Sequence, residues 1–195
     1  MSEIGIVAQA FLGLAMVGLS AYGIAIYNGL IRLRNNADKA WSNIDVLLKQ
    51  RHDEVPNLVA VCKGYMKHEH DTLEAVARAR HLAAGADSVS RRAAAEGGLA
   101  EALVGLYARV EDYPDLKADR HFLALQKRIS EIEEQIADRR ELYNESANRI
   151  NIRVQQFPDV LVARPFGFTR RELYQAENAE RREPVVDFSA IRSSR

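Results

Sequence analysis

The chain has 195 residues, with 27 basic and 27 acidic side chains and no formal net charge. This length accommodates one domain with appendages, and an apolar content of 47% excludes an intrinsically disordered chain. The balanced charge argues against a nucleic-acid partner, and the single cysteine excludes an intrachain disulfide or a multi-cysteine metal site. Glycine and proline are scarce, with 11 and 5 residues, which favours long helices.

An uncharged apolar segment opens the chain. Residues 4–31 contain no charged side chain and would form a helix about 42 Å long, whereas a bilayer has a hydrocarbon core of about 30 Å. The segment lacks the basic start of a cleavable signal peptide and is too long for its apolar region. We therefore expect residues 1–31 to be a single-pass transmembrane anchor.

The charges beside this segment predict its orientation. Arg32, Arg34 and Lys39 follow it closely, and no lysine or arginine precedes it. By the positive-inside rule, the rest of the chain lies in the cytoplasm.

Small residues recur every four positions within the segment, at Ala21, Ala25 and Gly29. Such a stripe lets two membrane helices approach closely, so it is a candidate surface for self-association. The alternative is that the stripe only reflects the frequent use of alanine and glycine in membrane spans.

Apolar residues with helical spacing continue from Ala37 to Val76 and predict a long helix over residues 33–83. Pro56 lies in its middle and lacks a backbone donor. Two interpretations remain open: the helix bends at Pro56, or Asp53 caps a new helix with Pro56 in its first turn. The apolar pattern keeps its phase across Pro56, which favours the bend.

The second half of the chain predicts one more long helix. Gly97 and Gly98 make residues 89–98 a candidate loop, because two glycines cost about 2 kcal/mol within a helix. A short helix is expected to end at Val110. A second long apolar stripe then predicts a helix over residues 117–157.

Each of these helices has one apolar face, which must pack on another helix. We therefore predict an all-α fold with an N-terminal transmembrane helix and an elongated antiparallel, up-and-down helical bundle over residues 32–168. Residues 169–195 are expected to form a short helix over 169–182 and a polar tail.

The sequence contains little that resembles a reactive site. His68 and His70 suggest a metal site, but residues two apart on a helix point to different sides and cannot share an ion. Phosphate-binding loops and nucleophile motifs are absent from the sequence. We expect no catalytic residue, no bound metal and no cofactor.

Asparagines form a polar stripe beside the apolar one, at Asn144, Asn148 and Asn151. One hypothesis places the stripe inside the bundle opposite Asp45 or Asn43, as a polar network that fixes the register of the helices. The alternative is a stripe that faces solvent.

Aromatic and basic residues alternate near the end of the chain. Phe166 and Phe168 stand close to Arg170 and Arg171, a combination that could contact an anionic lipid surface. The alternative is packing on a neighbouring helix or chain. A bent first helix would direct the 117–157 helix away from the membrane, which favours packing.

Several short stretches stand out by their order and spacing. They are Tyr27-Asn28-Gly29-Leu30, Ala40-Trp41-Ser42-Asn43-Ile44-Asp45, Val55-Pro56-Asn57-Leu58, Lys63-Gly64-Tyr65, His68-Glu69, Glu111-Asp112-Tyr113-Pro114-Asp115-Leu116, Tyr143-Asn144, Phe157-Pro158 and Phe166-Gly167-Phe168. Over about residues 27–175 the chain resembles the LemA family of bacterial membrane proteins. It departs from the family at Glu54-Val55, where Leu-Ile is common, and at Ile150, where Tyr is common.

The resemblance implies an anchor in the bacterial inner membrane, an up-and-down helical bundle and no established catalytic residues. One family member takes part in magnetosome-membrane assembly. Other members are encoded near envelope-stress and membrane-protease functions, and some relatives are lipoproteins that face the periplasm, so a periplasmic bundle stays open. We expect a membrane-anchored scaffold that forms a homo-oligomer or recruits a membrane-protein partner; the alternative is an adaptor for a membrane protease or chaperone.

Overall fold

The computed structural model describes residues 3–175, with side chains from residue 6 onward. This part of the chain is 82% helical and contains no strand, which confirms the predicted all-α fold. Its helices are α1 (Glu3–Tyr65), α2 (His70–Ala84), α3 (Val89–Val110), α4 (Pro114–Lys117), α5 (Arg120–Arg153) and α6 (Val160–Ala163).

The two long helices, α1 and α5, pack antiparallel and form the spine of the bundle. Phe122 at the start of α5 packs in one cluster with Cys62 at the end of α1. Ile150 at the end of α5 packs instead with Ile26 and Leu30, which lie in the last part of the apolar N-terminal segment. α2 and α3 form a hairpin beside the far half of this pair, so α5 returns toward the apolar segment rather than leading away from it.

Buried apolar side chains lie in three successive clusters along the bundle. The far cluster is the largest and includes Leu58, Leu103 and Phe122, and the middle and near clusters centre on Ile44 and Leu30. Each fully buried side chain of this size contributes about 1.5–3 kcal/mol relative to an exposed one. The clusters therefore hold together helices that are far apart in sequence.

α1 continues through Pro56 without ending, so no new helix begins at Asp53. Because Pro56 has no N–H, the carbonyl oxygen of His52 loses its usual donor four residues on. Arg80 on α2 replaces that donor: its Nε donates to this oxygen at 2.7 Å. A contact between helices thus satisfies the backbone group that the proline leaves free.

The prediction of one helix over residues 33–83 was wrong beyond Tyr65, because α1 ends there and residues 66–69 turn the chain into α2. The apolar periodicity concealed this break, since Met66 in the turn is buried in the far cluster while Tyr65 is exposed. The predicted stripe counted Tyr65, and the buried Met66 in the turn takes the place in the core that the pattern assigned to Tyr65.

The predicted loop over residues 89–98 was also wrong, because α3 begins at Val89 and passes through both glycines. The side chain of Ser88 caps its first turn by accepting from the backbone N–H of Arg91. Ala93 and Leu99 then bury one face of the helix against its neighbours. This packing outweighs the cost of about 2 kcal/mol for two glycines.

The C-terminal region departs from the expected short helix over 169–182. Residues 169–175 are not helical, and we call this segment the C-terminal strap because it lies across α1, α3 and α5. The rest of the expected helix and the polar tail lie outside the described residues.

The domain boundary expected at residue 31 does not coincide with a break in structure, because α1 runs through it and Leu30 already packs in the bundle.

Candidate membrane-proximal site

The exposed part of α1 has the length of a membrane span. Residues 6–25 are exposed, except for the half-buried Gly23, and 20 helical residues extend about 30 Å. Within residues 3–175, α1 is the one helix long and apolar enough to cross a membrane. The uncharged run of residues 4–31 exceeds this length because its last part, including Ile26 and Leu30, is buried against α5 and α6.

The stripe of small residues lies partly on this exposed length. Ala21 and Ala25 are exposed, whereas Gly29 is half-buried. A Cβ at Gly29 would lie 3.6 Å from the guanidinium of Arg153 at the end of α5. The structure therefore leaves the first two positions accessible and covers the third with the bundle's own side chain.

An aromatic cluster marks the point where the exposed segment meets the bundle. The ring of Tyr27 on α1 contacts Phe166 and Phe168 edge-on, with ring centroids 5.0 and 5.7 Å apart. Gly167 between them has a φ of +72°, a conformation that favours glycine. The turn lets the N–H of Phe168 donate to the carbonyl of Ala163 at 3.0 Å.

The basic residues of this region differ in their partners. Arg171 donates to Asp38 on α1 at 2.6 Å, and Arg153 pairs with the buried Asp159. Arg164 and Arg170 are exposed beside the aromatic cluster. Because α5 returns toward the apolar segment, the expectation that this motif lies far from the anchor was wrong.

Two of the three predicted asparagines hold the C-terminal strap by its backbone. Asn151 accepts from the N–H of Arg171 at 2.7 Å and donates to its carbonyl at 2.9 Å. Asn144 makes the same pair of bonds to Tyr174, at 2.7 and 3.0 Å. Asn148 between them is exposed.

Asp45 does not join these asparagines, in contrast to the hypothesis of a network across the bundle. It pairs with Arg92 on α3. Two residues of the polar stripe on α5 therefore bind the backbone of a neighbouring segment without regular secondary structure, instead of a side chain on α1.

Sequence reasoning missed the residue that anchors the strap. Tyr174 is buried, packs near Trp41 with ring centroids 6.0 Å apart, and lies under the guanidinium of Arg140 at 4.7 Å. Tyr143 adds a hydrogen bond from its hydroxyl to the carbonyl of Glu172 at 2.8 Å. Tyr174 belongs to a segment without helix or strand, so no periodic pattern in the sequence indicates that it is buried.

A buried ionic cluster joins α1, α3 and α5 in the middle of the bundle. Arg51 and Glu96 are 4% and 3% exposed and form an ion pair; His52 lies 2.9 Å from Glu96, and Glu133 lies 3.4 Å from Arg51. Burial alone would raise the pKa of Glu96, but the nearby His52 and the charge of Arg51 together lower it below its usual value. In this cluster the buried charge of Arg51 on α1 is paired with carboxylates on α3 and α5.

The described residues offer little for metal or nucleophilic chemistry. Within them, no group of three or more His, Cys, Asp or Glu side chains is placed to hold a metal ion. Cys62 lies in the far apolar cluster, where burial raises the pKa of its thiol to about 11 and so disfavours the reactive thiolate.

The chain is similar to several known proteins over most of its length. It is 26% identical to magnetosome protein MamQ 2 of Paramagnetospirillum magneticum over 85% of this chain and 71% of that protein. It is 24% identical to magnetosome protein MamQ of Magnetospirillum gryphiswaldense over 88% and 74% of the two chains. It is 27% identical to protein LemA of Metamycoplasma hominis over 85% and 75%.

None of these three relatives is named for an enzymatic activity. Together with the apolar helix α1, the relatives indicate a membrane-associated protein. The family described as the LemA family matches residues 40–188, which include nearly all of the bundle. This protein therefore belongs to the LemA family.

Proposed function

We propose that this protein is a membrane-anchored, non-catalytic scaffold that self-associates and recruits other proteins at the bacterial inner membrane. The observation that carries the proposal is the continuity of α1, which leads from the exposed apolar residues 6–25 into the core of the bundle. A continuous helix holds the bundle at a fixed height and angle on its anchor. A flexible linker would not do so, and fixed placement is what a scaffold needs.

The proposed orientation puts the bundle in the cytoplasm. Arg32 and Arg34 are exposed directly after the buried end of the apolar run, and such residues favour the cytoplasmic side of a membrane. Proteolysis of spheroplasts tests this orientation. The bundle is expected to resist added protease until the membrane is permeabilised, and cleavage in intact spheroplasts would contradict the proposed side.

Self-association is proposed to use the exposed positions Ala21 and Ala25, because small side chains let two helices pack closely in lipid. The full-length protein in mild detergent is expected to form a complex larger than the 21.9 kDa monomer. Light scattering with correction for bound detergent measures this mass. The double variant Ala21→Leu, Ala25→Leu is expected to lower it.

Gly23→Leu is a matched control, because Gly23 lies two residues from Ala21 and so on the opposite side of the helix. A Cβ at this position has no neighbour within 4 Å. A wild-type protein that stays monomeric at micromolar concentration would contradict self-association. A monomer that purifies with one partner at fixed stoichiometry would favour the adaptor interpretation instead.

A further inference from the structure

Three large apolar side chains protrude from the bundle where it meets the anchor. Phe157, Leu161 and Phe166 are 75%, 65% and 64% exposed. They lie before, within and after the short helix α6, and we call them the α6 patch. Such exposure is unusual for side chains of this size when several lie within ten residues of one another.

The packing of α6 determines where this patch lies along α1. Ala163 on α6 is buried with Ile26 and Leu30, and Phe166 contacts the ring of Tyr27. Residue 27 is only two positions beyond the exposed segment 6–25, a distance of about 3 Å along the helix. Helix α6 and Phe166 are therefore level with the end of the exposed apolar segment.

The charges around the α6 patch are strongly biased. Segments 26–34 and 153–171 contain six arginines and one acidic residue, Asp159. Asp159 is buried and paired with Arg153. Arg32, Arg164 and Arg170 are exposed, so the surface around the patch is basic.

We infer that the α6 patch is a second membrane-binding site, in which Phe157, Leu161 and Phe166 insert into the bilayer surface while neighbouring arginines contact anionic headgroups. Phenylalanine and leucine side chains on the apolar face of an interfacial helix bury about 5–10 Å into the boundary between headgroups and acyl chains, and a basic rim favours anionic lipid. The bundle is thus held to the membrane at two points, α1 and α6, which fixes its tilt. This inference requires α1 to span the bilayer but not that the protein self-associates.

Spin labels on single introduced cysteines measure this insertion directly. The variants Leu161→Cys and Phe166→Cys of the full-length protein are spin-labelled and placed in nanodiscs of phosphatidylcholine and phosphatidylglycerol. Native Cys62 is buried, and the unmutated protein measures any background labelling. The accessibility of each label to oxygen, relative to a water-soluble nickel complex, reports its depth.

Two controls bracket the measurement. Leu19→Cys lies on the exposed span, and Leu82→Cys lies on α2 with a similar exposure of 62%. We expect the labels at 161 and 166 to give oxygen-to-nickel ratios several-fold above the label at 82 and to approach the label at 19. If the label at 19 is embedded in lipid and the labels at 161 and 166 give the same ratio as the label at 82, the inference is overturned. A water-exposed label at 19 would instead contradict the transmembrane position of α1.

The role of the arginines is tested separately. Arg164→Gln with Arg170→Gln is expected to reduce the depth of the label at 161 in anionic nanodiscs. The control Arg139→Gln changes an exposed arginine on α5 far from α6 and is expected to leave the depth unchanged. Equal depth in purely zwitterionic and anionic nanodiscs would refute the contact with anionic headgroups.

Discussion

The amide side chains of Asn144 and Asn151 each bond both backbone groups of one strap residue. They lie seven residues apart on one face of α5, and they bind strap residues three apart, Arg171 and Tyr174. An extended backbone rises about 3.3 Å per residue and a helix 1.5 Å, so the two spacings match at about 10 Å. Each asparagine offers one acceptor and one donor, which is what the carbonyl and N–H of a single strap residue need.

Removal of either amide is expected to loosen the strap. Asn151→Ala leaves the N–H and carbonyl of Arg171 without their partners, at a cost of about 1–3 kcal/mol. That cost lowers the melting temperature by several degrees in a chain of this size, and circular dichroism in detergent measures it. Asn148→Ala is the control, because Asn148 is exposed; an equal loss in both variants would show that the strap bonds are not the cause.

The ion pair of Glu96 predicts a loss of stability in acid. The folded pKa of Glu96 lies below its unfolded pKa. The stability that this ion pair contributes is therefore complete above the unfolded pKa and is lost as pH falls through the folded pKa. We expect the melting temperature to fall between pH 5 and pH 3, and to fall less in Glu96→Gln. Glu141→Gln, at an exposed position of α5, is expected to keep the wild-type slope.

At the scale of elements, α1 remains one helix because α2 supplies the donor that Pro56 lacks. A double-mutant cycle tests this explanation. Arg80→Met keeps the aliphatic stem but removes the guanidinium, and is expected to cost about 1 kcal/mol in the wild-type chain. In the Pro56→Ala background, where residue 56 donates to His52 itself, the same change is expected to cost almost nothing.

Chemical denaturation of the four proteins in detergent measures the coupling. The single change Pro56→Ala is expected to raise stability, because proline is unfavourable within a helix. Equal costs of Arg80→Met in both backgrounds would show that Arg80 acts through packing and not through the free carbonyl.

At the scale of the whole molecule, the anchor and the bundle form one body. Leu30 is fully buried and links α1 to the near cluster. Leu30→Ala is expected to cost about 2–5 kcal/mol and to increase hydrogen exchange of residues 157–175. Ile24→Ala is the control, since Ile24 is exposed on the span; unchanged exchange in Leu30→Ala would contradict the coupling of anchor and bundle.

The predictable part of the fold is the part that depends on local periodicity. The helical stripe of α5 places Ile129, Ile132, Ile136 and Ile150 on one face, and all four are buried. Phe157 fits the same stripe but is exposed, because α5 ends at Arg153 and the chain then turns. Likewise, the turn at residues 66–69 and the passage of α3 through two glycines depend on packing partners that no local pattern reveals.

The sequence alone therefore determined an all-α protein with an uncharged apolar N-terminal segment and long amphipathic helices, because the lack of charge and the 3.6-residue spacing are local properties. It also pointed to the asparagine stripe and to the Phe-Gly-Phe motif as unusual features. Only the tertiary structure decided that α5 returns to the anchor, that Asn144 and Asn151 bind the strap, and that Phe166 meets Tyr27. These contacts join residues that are between 20 and 139 positions apart in the sequence. They depend on how whole helices pack together, and the sequence of a single segment does not specify that packing.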